Sequence, residues 1–215
     1  MIKVSAIITS GGSSRRFGSN KLLEKLGDFS VIETTILKYM DLVDEIVVPS
    51  SEEIEQYLKN SKIYCSKIKF APSGITRQKS VYNGLLACSN PKIVLIHDGA
   101  RPFIEKSVIQ KAIEMTFEKK AVLVGAYAID TIKEVKDGKI VKTLNRDNIF
   151  HAQTPQCFDF ELIKKIHEIY KDKDDFTDDA SMAEAFGAEV FILNNEFDNR
   201  KITFKKDLLS ANGLC

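Results

Sequence analysis

Several short stretches hold the residues best suited to chemistry on phosphates. The first is Ser10-Gly11-Gly12-Ser13-Ser14-Arg15-Arg16-Phe17-Gly18-Ser19-Asn20-Lys21. Glycines let backbone N–H groups approach an anion closely, and Arg16 and Lys21 supply the charge that phosphate recognition demands. The stretch has neither the Gly-Lys-Ser/Thr of a P-loop nor the Gly-x-Gly-x-x-Gly of a dinucleotide turn. A solvated surface loop is the plainer account, but its place directly after an apolar strand favours phosphate binding. The second stretch is His97-Asp98-Gly99-Ala100-Arg101-Pro102. A carboxylate there can hold a hard divalent cation that bridges phosphates, and Arg101 can grip a second phosphate. The competing account makes Asp98 a helix cap and Pro102 a strand stop.

Three further stretches carry weaker signals. Asn145-Arg146 and His151-Ala152-Gln153-Thr154-Pro155-Gln156 follow one another closely. In Thr177-Asp178-Asp179-Ala180-Ser181 a helix cap with acids at the positive helix end is a strong alternative to function. Asp198-Asn199-Arg200-Lys201-Ile202-Thr203 is unremarkable by itself. Of the three histidines, His97 and His151 read as structural and His167 as a helix-surface residue, so none is taken as an acid or base.

The elements that must position these residues alternate between strand and helix. Strands are expected at 3–9, 45–48, 67–71, 93–96, 121–129 and 189–193. Helices are expected at 31–42, 52–59, 78–87, 108–117, 160–170 and 179–186. Ile93-Val94-Leu95-Ile96 shows no polar alternation, as in a central parallel strand. This rhythm predicts an α/β fold, a three-layer α/β/α sandwich with a mostly parallel, Rossmann-like sheet. The rhythm breaks between Thr131 and Leu144, where apolar and charged residues alternate around Asp137-Gly138. That is a hairpin signature, and a two-stranded arm standing alone is marginal, so 131–150 is expected to project and pack on something. Residues 1–215 read as one domain with this arm.

Composition closes off other classes. The 215 residues are 44% hydrophobic and 28% charged, with 31 Lys+Arg against 30 Asp+Glu, which gives no support to nucleic-acid binding or a polybasic membrane anchor. No run of roughly 18 apolar residues suggests a membrane span. The four cysteines form no Cys-x-x-Cys pair and read as reduced, which suits a cytoplasmic enzyme.

Taken in order, the motifs resemble those of the 2-C-methyl-D-erythritol 4-phosphate cytidylyltransferases. The resemblance covers nearly the whole chain. It runs through the Gly-rich loop with Arg16 and Lys21, then Gly74-x-x-Arg77-x-x-Ser80-Val81-x-Asn83-Gly84-Leu85, and His97-Asp98-x-Ala100-Arg101-Pro102. Asp130-Thr131-x-Lys133, Arg146, Gln153-Thr154-Pro155-Gln156-x-Phe158, Thr177–Ser181 and Lys201-Ile202-Thr203 complete it. Each motif is weak; their order is specific.

The resemblance implies transfer of a cytidylyl group from CTP to a sugar-alcohol phosphate. Ser10, Gly11, Gly12 and Ser14 would wrap the triphosphate, while Arg16 and Lys21 stabilise charge at the α-phosphate and on departing pyrophosphate. Gly74 and Ser80 would hold cytosine and ribose, with Gly99 also on the nucleotide. Asp98 would bind Mg²⁺, with Asp198 as a second ligand. Asp98 itself, Arg101, Thr131, Arg146, Thr154 and Lys201 would line the acceptor site, Arg146 and Lys201 positioning the attacking phosphate. The arm would exchange with a second copy in a homodimer, so Thr131 and Arg146 serve the neighbour's site. The sequence departs from the family where Asn20 stands before Lys21 in place of proline, and where Ser10-Gly11-Gly12 opens the loop. It departs again at Ile75, at Gly99 where alanine is commoner, and at Arg200 beside Lys201. Two rivals remain open: a ribitol 5-phosphate cytidylyltransferase, and a catalytically idle nucleotide sensor.

Overall fold

The structure is a computed structural model that describes residues 3–10, 20–173, 175–211 and 213. The expected triphosphate ligands Gly11, Gly12, Ser14 and Arg16 lie outside the described residues.

The chain begins with strand β1 (Val4–Thr9), every residue of which is buried. After a small ladder of β2 (Lys25–Leu26) and β3 (Phe29–Ser30) comes helix α1 (Val31–Tyr39). Ser30 starts α1 with a reciprocal cap: its side chain accepts from the Glu33 N–H, and Glu33 accepts the Ser30 N–H. There follow β4 (Glu45–Ser50), α2 (Glu52–Lys59), β5 (Ile68–Pro72), α3 (Arg77–Ala87), β6 (Ile93–Asp98), α4 (Lys106–Lys119) and β7 (Ala121–Tyr127). The arm is β8 (Lys133–Lys136) and β9 (Lys139–Thr143), turning at Asp137 and Gly138 with φ of 49° and 75°. Positive φ at both positions is what a two-residue hairpin turn demands. The remaining elements are β10 (Phe150–Asp159), α5 (Phe160–Ile169), α6 (Asp179–Phe186), β11 (Phe191–Asn194) and α7 (Lys205–Ala211).

Seven strands form one sheet in the order β11-β7-β10-β6-β1-β4-β5. Parallel pairing joins β1 to β4 and β6, β4 to β5, and β7 to β11; β10 alone runs antiparallel, between β6 and β7. Successive residues of β1 face opposite sides of the sheet, as the two-residue period requires. Ala6 and Ile8 pack with Ile32, Ile36, Leu58 and Ile109 of α1, α2 and α4. Ile7 packs with Val81, Leu85, Ile163, Ile166 and Met182 of α3, α5 and α6. The three-layer expectation therefore holds.

β10 was not foreseen. Gln153-Thr154-Pro155-Gln156 reads as loop because it is polar and holds a proline, yet it lies inside the sheet. The register shifts between Ala152 and Gln156, and an irregularity of this kind accommodates a residue with no N–H to donate. Because Phe150 already pairs with Tyr127, the arm proper ends one residue earlier than 150. His167 also differs from expectation. It is fully buried between α3, α5 and α6, not on a helix surface.

Candidate active site

The chain reverses its order across the sheet at β1, with β4 and β5 on one side and β6 on the other. Ligands of open α/β sheets bind in the crevice beyond the carboxyl ends at such a point. Here those ends are Thr9 and Asp98, which face each other in register.

Asp98 closes β6 and is buried. Its carboxylate lies 2.7 Å from Lys201 Nζ, 3.7 Å from Arg77 Nε and 3.7 Å from Arg101 Nε. Burial is the largest influence on this group and opposes ionisation. The nearby cations, Lys201 first, overcome it and hold the carboxyl well below the usual carboxylate range.

The backbone N–H of Asp98 donates to Thr154 Oγ1 at 3.1 Å. The Thr154 hydroxyl proton is then available to His97 Nδ1, 3.0 Å away. That assigns the other ring nitrogen as the donor, to the Arg101 carbonyl at 3.1 Å. Burial pushes the His97 imidazole down to about 4, so it stays neutral at pH 7 and serves as a bracket. One threonine thus ties β10 to the end of β6, and His97 carries the tie on to Arg101.

The segment after β11 completes the site. Arg101 donates from NH1 to the Asn199 carbonyl at 2.6 Å, and Ile202 N–H donates to the Ala100 carbonyl at 2.8 Å. Asn199 Nδ2 donates to Gln153 Oε1 at 3.0 Å and to the Thr154 carbonyl at 2.8 Å. Lys21 Nζ donates to the Ile202 carbonyl at 2.8 Å. Asp98, Arg101, Thr154 and Lys201 therefore meet, and Lys21 is tied to the same segment through the Ile202 carbonyl.

The other expected residues take different places. Ser10 donates its hydroxyl to the Pro49 carbonyl at 2.7 Å, which fixes where the first loop leaves the sheet. Gly74 donates its N–H to Ser80 Oγ at 2.9 Å, and Ser80 donates to the Thr76 carbonyl at 2.9 Å. A Cβ at Gly74 would stand 2.4 Å from Lys79 Cβ and 2.7 Å from Ser80 N, so the turn into α3 admits only glycine. Gly99 donates to the Thr9 carbonyl at 2.9 Å, bracing the crevice between β1 and β6. Thr131 and Arg146 are exposed on the arm, where Arg146 NH1 donates to the Ile129 carbonyl at 2.7 Å; they stand outside the Asp98 group. Asp198 accepts from the Arg200 N–H at 3.0 Å and from its Nε at 2.9 Å, in an exposed turn. No three His, Cys, Asp or Glu side chains among the described residues form a ready-made metal cage.

Two residues given no role from sequence prove central. Arg77, the first residue of α3, reaches Asp98 and also donates from NH1 to Asp179 at 2.7 Å. Asn199 stitches three segments together. Arg77 stands within Gly74-x-x-Arg77-x-x-Ser80 and Asn199 between charged neighbours, but only the tertiary contacts distinguish them. The Thr177–Ser181 stretch caps α6 as its plainer account held, with Asp178 accepting from the Ser181 N–H at 2.9 Å. Gln156 locks that cap to β10: its Nε2 donates to Asp178 at 2.7 Å and its Oε1 accepts from the Ala180 N–H at 2.9 Å.

The profile of the 2-C-methyl-D-erythritol 4-phosphate cytidylyltransferases matches residues 4–214. The chain belongs to this family. A member from Clostridioides difficile is 41% identical over 213 residues, covering 95% of this chain and 90% of its own. One from Clostridium botulinum is 38% identical and covers 96% of both chains. Among solved structures, the 4-diphosphocytidyl-2C-methyl-D-erythritol synthase of Anaerococcus prevotii superposes with a TM-score of 0.87 at 32% identity, covering 99% of this chain and 97% of its own. The family's cytidylyltransferase of Francisella tularensis gives 0.82 at 31% identity, covering 99% and 100%.

Proposed function

We propose that the protein joins CTP to 2-C-methyl-D-erythritol 4-phosphate, giving 4-diphosphocytidyl-2-C-methyl-D-erythritol and pyrophosphate. Family membership across residues 4–214 carries this reading, and the cluster of Lys201, Arg77 and Arg101 about Asp98, with Lys21 tied to the Ile202 carbonyl next to Lys201, supplies the charge it needs. An oxygen of the acceptor phosphate attacks the α-phosphorus of CTP in line. The new P–O bond forms as the bond to the bridging oxygen breaks, and its electron pair leaves with pyrophosphate. The attacking oxygen is already anionic, so no protein base is required; His97 is neutral and bonded on both nitrogens. The chain's task is to hold two polyanions together and offset the charge that builds up. Lys21 faces the α-phosphate and leaving group, while Arg101, Thr154 and Lys201 hold the acceptor.

When bound, Mg²⁺ would neutralise charge on the CTP phosphates. Among the described residues, one ionised carboxylate with no acidic cage about it would suit a cation that takes most of its ligands from phosphates and water. Asp98 would hold it; Asp198 would join only by leaving Arg200. The arm pairs two copies of the chain. Its exposed Ile129, Val135, Ile140 and Val141 favour such a partner, to whose site it would bring Thr131 and Arg146. CTP as substrate and the free thiols of Cys65, Cys88 and Cys157 fit work in the cytoplasm; no helix among the described residues is long and apolar enough to cross a membrane. Pyrophosphate release with CTP and each candidate acceptor tests the reading. Release with ribitol 5-phosphate alone, or with neither acceptor, would overturn it.

A further inference from the structure

One fully buried polar group has no task in this mechanism. His167, in the last turn of α5, places Nε2 2.9 Å from Asp179 Oδ1. Its Nδ1 is buried without a hydrogen-bond partner among the described residues. A leucine would fill the same space without stranding a nitrogen, so the imidazole is kept for what Nε2 does. Tyr82 of α3 lies flat against it, ring centroids 6.3 Å apart and planes 4° from parallel, which fixes the ring's tilt.

Asp179 is also buried, and its other oxygen takes the Arg77 NH1 at 2.7 Å. Arg77 Nε in turn lies 3.7 Å from Asp98 Oδ1. A line of polar contacts thus runs from the helical layer to the Asp98 carboxylate. Arg77 stands at the start of α3, whose first turn holds no acid. A cation at the positive end of a helix is disfavoured. A buried carboxylate that offsets this cost, itself aimed by a buried imidazole, holds the guanidinium in one place.

We propose that His167 is a positioning residue: through Asp179 it fixes Arg77 against Asp98 and so sets how the Asp98 carboxylate would hold the cation that accompanies CTP. The inference rests on the reading of this site as a CTP site. The rival account is stability alone, since an acid such as Asp179 suits the start of α6 and its bond to His167 joins α6 to α5.

Calorimetric titration with CTP and Mg²⁺ tests the proposal on wild type, His167→Leu, His167→Gln, Arg77→Lys and the double variant His167→Leu with Arg77→Lys. Glutamine can carry an N–H to about the place of Nε2; leucine fills space and donates nothing. Leucine should weaken CTP binding about tenfold, as losses behind a liganding residue do, and glutamine should recover most of it. In the Arg77→Lys background the leucine change should add nothing. Unchanged binding by His167→Leu, equal losses with leucine and glutamine, or additive losses with Arg77→Lys would each overturn the proposal. If the leucine variant does not fold, Asp179→Asn carries the same expectation of weakened binding, and its binding CTP like wild type is the overturning result. Wild type that binds CTP with this dependence but releases no pyrophosphate with either acceptor would overturn the proposed reaction and leave the role of His167 standing. Wild type that does not bind CTP would overturn both.

Discussion

Lys21 donates from its Nζ to the carbonyl of Ile202 at 2.8 Å, one residue beyond Lys201, whose own Nζ lies 2.7 Å from Asp98. The end of the first loop is thereby fastened to the segment carrying Lys201. In the proposed reaction Lys21 would meet the charge that grows as the α-phosphorus becomes five-coordinate. Lys21→Met keeps much of the stem's volume and removes the charge. Turnover should fall about a hundredfold or more, with a small change in the CTP KM. Steady-state kinetics decide the matter: an effect confined to KM would refute the assignment.

Asp98→Asn keeps the shape of the side chain and takes away the charge that Lys201, Arg77 and Arg101 surround. Turnover should drop on the order of a hundredfold, and half-maximal activity should require more Mg²⁺. A variant with wild-type turnover and Mg²⁺ demand would show that Asp98 serves only the turn.

Acid should destabilise the protein in two stages. His97 is lowered from 6.5 to about 4 by burial, so between those values the unfolded chain binds the extra proton. Its contribution is complete above pH 6.5 and lost as pH falls toward 4, on the order of 3 kcal/mol. Asp179 is held down to about 2; burial raises it, and Arg77 and the His167 bond outweigh that. Its contribution is present above 3.8 and is lost only below that value, as pH falls toward 2. Urea midpoints from pH 7 to pH 4 should decline for wild type and much less for His97→Gln; parallel slopes would contradict the first stage.

Gly99→Ala should cost about 1–3 kcal/mol, because the added methyl would stand 2.8 Å from the Thr9 carbonyl and 2.7 Å from Ile32 Cδ1. The isoleucine can turn aside; the β1 backbone cannot. An unchanged thermal midpoint would mean that β1 and β6 separate more easily than their ladder implies.

Replacing Lys133–Val141 by a short turn should give a monomer with poor activity, since both the exposed apolar residues of the arm and the approach of Arg146 to a neighbour would be lost. Sedimentation velocity is the check, and a deletion variant that remains dimeric removes the arm from the interface.

The strand–helix rhythm was legible because buried parallel strands are near-continuous apolar runs and the helices carry ordinary caps and periods. β10 was not, since its polar Gln153, Thr154 and Gln156 are satisfied by partners far away in sequence: Asn199, Asp98, His97 and Asp178. The same reason hid His167, which looks solvent-facing until Asp179 and Tyr82 are brought to it. Charged site residues announce themselves by type and motif. The groups that orient them do so only by contact.

The strand before the arm and the strand after it are neighbours in the sheet, with Tyr127 opposite Phe150 and the Ala128 N–H bonded to the Ile149 carbonyl. The chain leaves the sheet and returns to it at one spot. Residues 128–149 can thus form their own contacts locally, whether before or after the sheet closes, without lengthening any loop the core must close. The same geometry makes this a natural splice point: a hairpin of another length, or one carrying a different recognition surface, could be grafted there without asking any core strand to change its neighbours.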